Sequence, residues 1–232
     1  MWTTNELGLA VWEANGSAWY VDARGGEHGI GVVSTKKSGA DAFSDTARAV
    51  SFPPVDDDRL PVAGEQYVRG DEWHVNYPQG ECSYALRMAF AVIETKADAL
   101  VLEVTVSVQT DLLDLHPKLD IEVMCNDIDS FVPSDAFGDD EVRGAGSAPI
   151  SLAKNRDYSS SVLLGPHDSP FTTNHSTDSM LRLRLFGDFL EKGVIRKARP
   201  WIVIQRSEAP SSEEQLESIW KQLCESPLPL TP

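Results

Sequence analysis

Glu72-Trp73-His74-Val75-Asn76-Tyr77 is the stretch whose residue types come closest to doing chemistry. On a strand, successive side chains point to opposite faces, so Trp73, Val75 and Tyr77 share one face and Glu72, His74 and Asn76 the other. One reading is a binding face: polar groups for sugar hydroxyls, with aromatic rings for stacking. The plainer reading is a half-buried strand with an ordinary solvated face, because any amphipathic strand shows this alternation. The candidate ligand contacts here are Trp73, His74, Asn76 and Tyr77.

Two further candidates, His167 and His175, lie in one polar loop, in Gly165-Pro166-His167-Asp168 and Asn174-His175-Ser176-Thr177-Asp178. Histidines beside aspartates are the residue types of a metal site or an acid–base pair. Their spacing matches no defined metal motif, and zinc sites normally show tight ligand spacing. A polar surface loop is the favoured reading of both, and no metal or cofactor is expected.

Other patterns fall short on chemical grounds. Asp120-x-Glu122 and Asp127-x-Asp129 lack the glycine and the spaced glutamate of a calcium loop. Gly25–Gly31 does not have the dinucleotide-binding glycine spacing, and Thr35-Lys36-Lys37-Ser38 lacks the phosphate-loop glycines. Gly144-Ala145-Gly146-Ser147 is not a nucleophile elbow. Cys82, Cys125 and Cys224 form no C-x-x-C pair. The default is therefore reduced thiols, with a Cys82–Cys125 bridge left open. No catalytic residue is assigned.

Charge narrows the partners. The chain of 232 residues carries a formal net charge of −16. Nucleic acid and anionic membrane surfaces are poor matches, since both are bound through clustered Lys and Arg. The N-terminus has no basic, apolar leader, and no stretch approaches the ~20 apolar residues of a spanning helix, so a cytoplasmic location is expected. The charge is uneven. Residues 126–146 hold six acidic side chains against Arg143, and residues 182–206 hold seven basic ones against Asp188 and Glu191. The basic segment is either a site for an anionic partner or the counter-charge of the chain's own acidic loops; the second reading is favoured because the local charges balance.

The elements that must hold these residues are mostly strands. Cys82–Thr110 reads as two long antiparallel strands joined at Thr95-Lys96-Ala97-Asp98. Tyr84, Leu86, Met88, Phe90 and Val92 alternate along the first, and Leu100, Leu102, Val104, Val106 and Val108 along the second, with both sets facing the core. Leu7, Leu9 and Val11 alternate before Asn15-Gly16, a hairpin signal, and residues 6–34 read as a meander. Thr35–Asp45 reads as a loop, Gln66–Arg69 as the hairpin partner of Glu72–Tyr77, and Asp111–His116 as one helical turn. Asn126–Gly146 is taken as irregular. Met180–Phe186, Val194–Arg199 and Trp201–Gln205 are strands. Ser211-Ser212-Glu213-Glu214 fits a capping box with Ser211 as N-cap. Behind it, Leu216, Ile219, Trp220 and Leu223 form one apolar stripe. Ala85, Ala89 and Ala91 leave a face of small side chains, over which this helix is expected to lie.

Many short strands, turn punctuation and a single late helix predict an all-β fold: a large antiparallel β-sandwich over residues 1–206. The C-terminal helix and Pro-rich tail, 207–232, are expected to pack on it. In general outline this resembles large carbohydrate-associated β-sandwiches, a likeness that does not establish function. The reading that follows is a non-catalytic binding or interaction module for a carbohydrate or other polar small molecule. The first alternative is a carbohydrate-acting hydrolase or isomerase using Glu72, His74, His167 or His175. The second is an assembly protein, a homo-oligomer docking through its C-terminal helix.

Overall fold

Alternating apolar residues and glycine-bearing turns produce two antiparallel sheets packed face to face. The computed structural model describes residues 1–33, 48–56, 58–133, 146–206 and 210–227. The first five strands are β1 (Trp2–Glu6), β2 (Leu9–Ala14), β3 (Ser17–Asp22), β4 (Ile30–Val33) and β5 (Arg48–Phe52). Next come β6 (Glu65–Arg69), β7 (Glu72–Tyr77), β8 (Ala85–Thr95), β9 (Ala99–Gln109), β10 (Leu119–Met124) and β11 (Asp127–Phe131). β12 (Ile150–Lys154), β13 (Ser159–Leu163), β14 (Thr173–Asn174), β15 (Met180–Phe186), β16 (Ile195–Ala198) and β17 (Trp201–Gln205) precede the helix α1 (Glu213–Glu225). The result is the expected all-β sandwich with one C-terminal helix.

The first sheet runs β1-β2-β3-β4-β5-β10-β15-β14, and the second β6-β7-β8-β9-β17-β13-β12-β11, with β16 continuing beside β9. Contacts between the sheets fix their alignment. Trp2 on β1 lies 5.7 Å from Trp73 on β7, and the Gln66 side chain of β6 accepts from the Gly8 amide at 3.0 Å. Farther along, the Ser160 hydroxyl of β13 donates to the Ala49 carbonyl of β5 at 3.0 Å. The β1 edge therefore lies over the β6 edge, and β5 over β13.

β8 and β9 are the long central pair, in register from Ala85↔Gln109 to Thr95↔Leu100, with one irregularity between Val92 and Glu94. Leu86, Met88, Phe90, Leu100, Leu102, Val104, Val106 and Val108 are buried between the sheets, and Tyr84 joins them from just outside β8. A fully buried side chain of this size contributes roughly 1.5–3 kcal/mol, which makes this hairpin the spine of the second sheet.

Helix α1 begins one residue later than its sequence suggested. Ser212 is the N-cap: its hydroxyl accepts from the Gln215 amide, and Gln215 Oε1 accepts from the Ser212 amide. The neighbouring Ser211 hydroxyl instead donates to Gln205 Oε1 at 2.9 Å, which leaves Ser212 at the terminus. The helix buries Leu216, Trp220 and Leu223, with Ile219 partly covered, against Val101, Ile150, Leu152, Leu163, Trp201 and Val203. These form the outer face of β9, β17, β13 and β12. The helix does not cover Ala85, Ala89 and Ala91: the wide apolar face lies on the other half of the sheet, and burial area decides where a stripe docks. The same packing occupies the stripe that docking to a neighbouring subunit would have used.

Four local expectations are also corrected. Trp2–Glu6 is a strand, and Leu7-Gly8 is the turn after it, with Gly8 at φ +77°. The inward residues of β2 are consequently Ala10 and Trp12, while Leu9 and Val11 face outward. Asp111–His116 is not helical, and Asp114 sits at φ +55°. Asp127–Phe131, taken as irregular, pairs with β12. The remainder of that acidic segment and the loop at 35–45 lie largely or wholly outside the described residues, as does the Pro-rich tail beyond 227.

Candidate functional site

The alternation in β7 resolves into one core face and one open face. Trp73, Val75 and Tyr77 are fully buried. Trp73 stacks on Phe90 at 5.1 Å, and the Tyr77 hydroxyl donates to the Ala23 carbonyl at 2.6 Å. Burial pushes the Tyr77 hydroxyl pKa well up, with Asp22 adding to the shift. Trp73 and Tyr77 thus present no surface to a ligand, because a strand that closes a sandwich turns its larger apolar face inward.

The open face keeps His74 and Asn76 and adds a residue not singled out from the sequence, Tyr67. The Gly70-Asp71 turn, with Gly70 at φ +62°, pairs Tyr67 directly with His74. Their rings stack at 4.8 Å and 11°, and the Tyr67 side chain is 45% exposed. A two-residue turn fixes this register, so the pairing could have been read from the sequence. His74 Nε2 lies 3.0 Å from Glu72 Oε2, and Asn76 donates to Glu65 at 3.0 Å. Ala89 stands beside His74, Ala91 beside Glu72 and Arg87 beside Asn76. The surface from β6 to β9 is therefore a shelf with a low floor, about 14 Å across at the usual strand spacing.

On the far side of the shelf stands α1. Between the helix and the β8–β9 turn lies a groove of about 340 Å³. Val101 and Val203 line its base, Ser218 and Gln222 its helix side, and Glu94 and Lys96 its hairpin side. Lys96 is held by Glu94 at 2.8 Å.

His167 and His175 are not part of this surface. His175 is exposed beside β14, at the opposite edge of the first sheet, and its Nε2 meets the Thr173 hydroxyl at 3.0 Å. His167 is exposed at a crevice of about 80 Å³ beside the C-terminus of α1, with Asp168, Arg199 and Cys224. The Asp168 carboxyl is raised by burial, a shift opposed by the Arg199 amide that it accepts from at 3.0 Å. Cys224 is exposed, and partial burial of its thiol raises its pKa. Glu72, His74, His167 and His175 consequently share no pocket, and the catalytic set that combined them does not form. Cys82, Cys125 and Cys224 are free thiols. Among the described residues, no group of three or more His, Cys, Asp or Glu is placed to hold a metal ion.

The five arginines of the basic segment find partners within the chain. Arg184 Nε lies 2.8 Å from Asp120, and Arg182 Nε lies 2.6 Å from Glu122. Arg206 stacks over Trp19 at 3.6 Å. Arg199 donates to the carbonyls of Leu223, Ser226 and Pro227. The carboxylate partners of Arg182 and Arg184 lie on β10 and that of Arg199, Glu103, on β9, since cross-strand neighbours bring opposite charges within reach, whereas Arg196 lies 3.8 Å from Asp188 in the loop after β15. On the same outer face, buried Asp22 accepts a two-point contact from Arg24 and a 2.8 Å contact from Arg48. Burial pushes the Asp22 carboxyl up, but the Arg24 hydrogen bonds and the charges of Arg24 and Arg48 outweigh it, so its pKa is lowered. A depressed folded-state value means that its stabilisation is complete above the unfolded carboxylate pKa of about 3.9 and is lost as pH falls through the folded value. Acid titration of Asp22→Asn against the parent chain should show a stability gap at neutral pH that closes below about pH 4. A gap independent of pH would remove the ionic account.

No family model matches the sequence, and no curated protein matches it. Among solved structures the chain is similar to a heparinase III, the BT4657 gene product with methylated lysines, at a TM-score of 0.39 and 9% identity. The match covers 90% of this chain, which spans 36% of that protein's length. Among the described residues no helix is long and apolar enough to cross a membrane.

Proposed function

We propose that the chain is a non-catalytic binding module whose ligand, a carbohydrate or similar polyhydroxyl small molecule, lies on the β6–β9 shelf of the second sheet. The observation that carries this reading is the half-exposed Tyr67 ring stacked on His74 beside a floor of alanines. A flat ring next to a low surface suits the apolar face of a sugar. Asn76, Glu65 and Arg87 around it supply donors and acceptors for hydroxyls. The reading does not use His167 or His175.

The test is calorimetric titration with a panel of neutral and acidic oligosaccharides. At least one should give a saturable heat with the parent chain, and Tyr67→Ala should weaken that binding by about tenfold or more. Tyr67 is an exposed residue on an edge strand, so the substitution should leave the melting temperature nearly unchanged. Absence of saturable binding across the panel, or binding indifferent to Tyr67→Ala, overturns the proposal.

A further inference from the structure

Among the described residues, the four terminal strands of the two sheets are not equivalent, and only one of them suits addition of another strand. β1 carries an irregularity between Thr4 and Glu6. β14 is two residues long. β11 holds Asp127 and Asp129, and pairing it with its own copy about Asp129 would oppose two carboxylates. β6 differs from all three. Glu65-Gln66-Tyr67-Val68-Arg69 pairs regularly with β7, contains no proline and no lysine, and exposes Tyr67 and Val68. Natural edges are normally blunted by such devices because a regular free edge invites pairing.

The backbone of β6 also has the right phase. The two-residue turn makes Arg69↔Glu72 the closing, hydrogen-bonded pair, so the amides and carbonyls of Glu65, Tyr67 and Arg69 point toward β7. Those of Gln66 and Val68 point away from the sheet. Placing a second β6 antiparallel about a two-fold axis at Tyr67 sets Gln66 opposite Val68 of the other copy, twice. Four backbone hydrogen bonds form with no shift of register. Glu65 then stands opposite the second copy's Arg69, and Arg69 opposite its Glu65. Among the described residues neither Glu65 nor Arg69 forms an ion pair within its own chain. The edge is thus complementary to itself in hydrogen bonding and in charge, as an isologous dimer contact requires.

We infer that β6 is a homodimer contact, pairing antiparallel with β6 of a second copy about Tyr67. The inference stands independently of the binding reading, although it would join two shelves into one continuous face with the two Tyr67 rings adjacent.

Sedimentation velocity and light scattering on the full chain, without ligand, give the test. The expected result is a concentration-dependent rise from the 25.5 kDa monomer toward twice that mass. Val68→Pro removes an outward N–H, which an edge strand tolerates, and should yield a monomer with the parent far-ultraviolet spectrum. Glu65→Arg or Arg69→Glu alone should weaken association by roughly tenfold, and the two together should restore it. A parent chain that stays monomeric at its highest attainable concentration overturns the inference. So does a dimer unaffected by Val68→Pro, or a double reversal that fails to recover association.

Discussion

Replacing Trp73 by alanine should lower the unfolding free energy by about 3–5 kcal/mol, the range for truncating a large buried aromatic. Trp73 is fully buried between sheets, touching Trp2 at 5.7 Å and Phe90 at 5.1 Å. Trp2 in turn packs edge-on against Trp12 at 5.3 Å. Truncation therefore opens a cavity in a chain of rings that joins β1 and β2 to β7 and β8. Packed rings of this kind relax little, so the cavity should persist. Trp73→Phe should cost much less, because a ring remains and the indole N–H has no hydrogen-bond partner among the described residues to lose. Urea unfolding of the two variants measures the difference. A loss below about 1 kcal/mol for the alanine variant would place Trp73 outside the core and return it to the ligand-binding candidates.

The second large effect concerns the attachment of α1. Its last turn contains no basic residue, so its terminal carbonyls need donors from elsewhere. Arg199, nearly buried, supplies them: Nη1 reaches the Pro227 carbonyl at 2.7 Å, and Nη2 the Leu223 and Ser226 carbonyls at 3.2 and 3.3 Å. The same guanidinium lies 3.7 Å from Glu103, which also accepts from the Trp201 indole at 2.7 Å. Arg199→Ala removes a fork of donors and leaves Glu103 without its cation. Breaking a buried pair from one side costs about 3–5 kcal/mol. The loss should appear locally, as faster amide exchange through Glu213–Glu225 and a red-shifted Trp220 emission, before the sandwich itself unfolds. Arg199→Lys should recover only part of it, since an ammonium cannot reproduce the planar fork. Helix exchange equal to that of the parent chain would show that the Leu216, Trp220 and Leu223 contacts hold α1 without the arginine.

Much of this architecture is legible because strand periodicity is a local property. Met180–Phe186 and Trp201–Gln205 coincide with β15 and β17, and the inward faces of β8 and β9 follow from alternation alone. β1 and β11 were missed for a related reason. Trp2–Glu6 and Asp127–Phe131 carry too few alternating apolar residues, and both are edge strands whose outer side chains need not be apolar.

The candidate site shows where local reasoning ends. Alternation establishes that Trp73 and Tyr77 share a face, and that His74 and Asn76 share the other. It does not say which face meets the first sheet. The turn at Gly70-Asp71 places Tyr67 against His74, but the ring matters as a surface only because β6 is the last strand in its sheet. His167, His175 and His74 are equally plausible companions in sequence, and the strand order sends them to different parts of the molecule.

Residue types and spacing by themselves determined an all-β sandwich, the core faces of its central hairpin, and an amphipathic helix at the end. Short-range geometry and burial preference suffice for each of these. Tertiary structure alone decided that α1 covers the β9–β12 half of the second sheet, that Arg199 closes its end, and that the shelf beside Tyr67 stays open. Those outcomes depend on long-range pairing, where the apolar area available across several strands selects which surface is buried and leaves the remainder exposed.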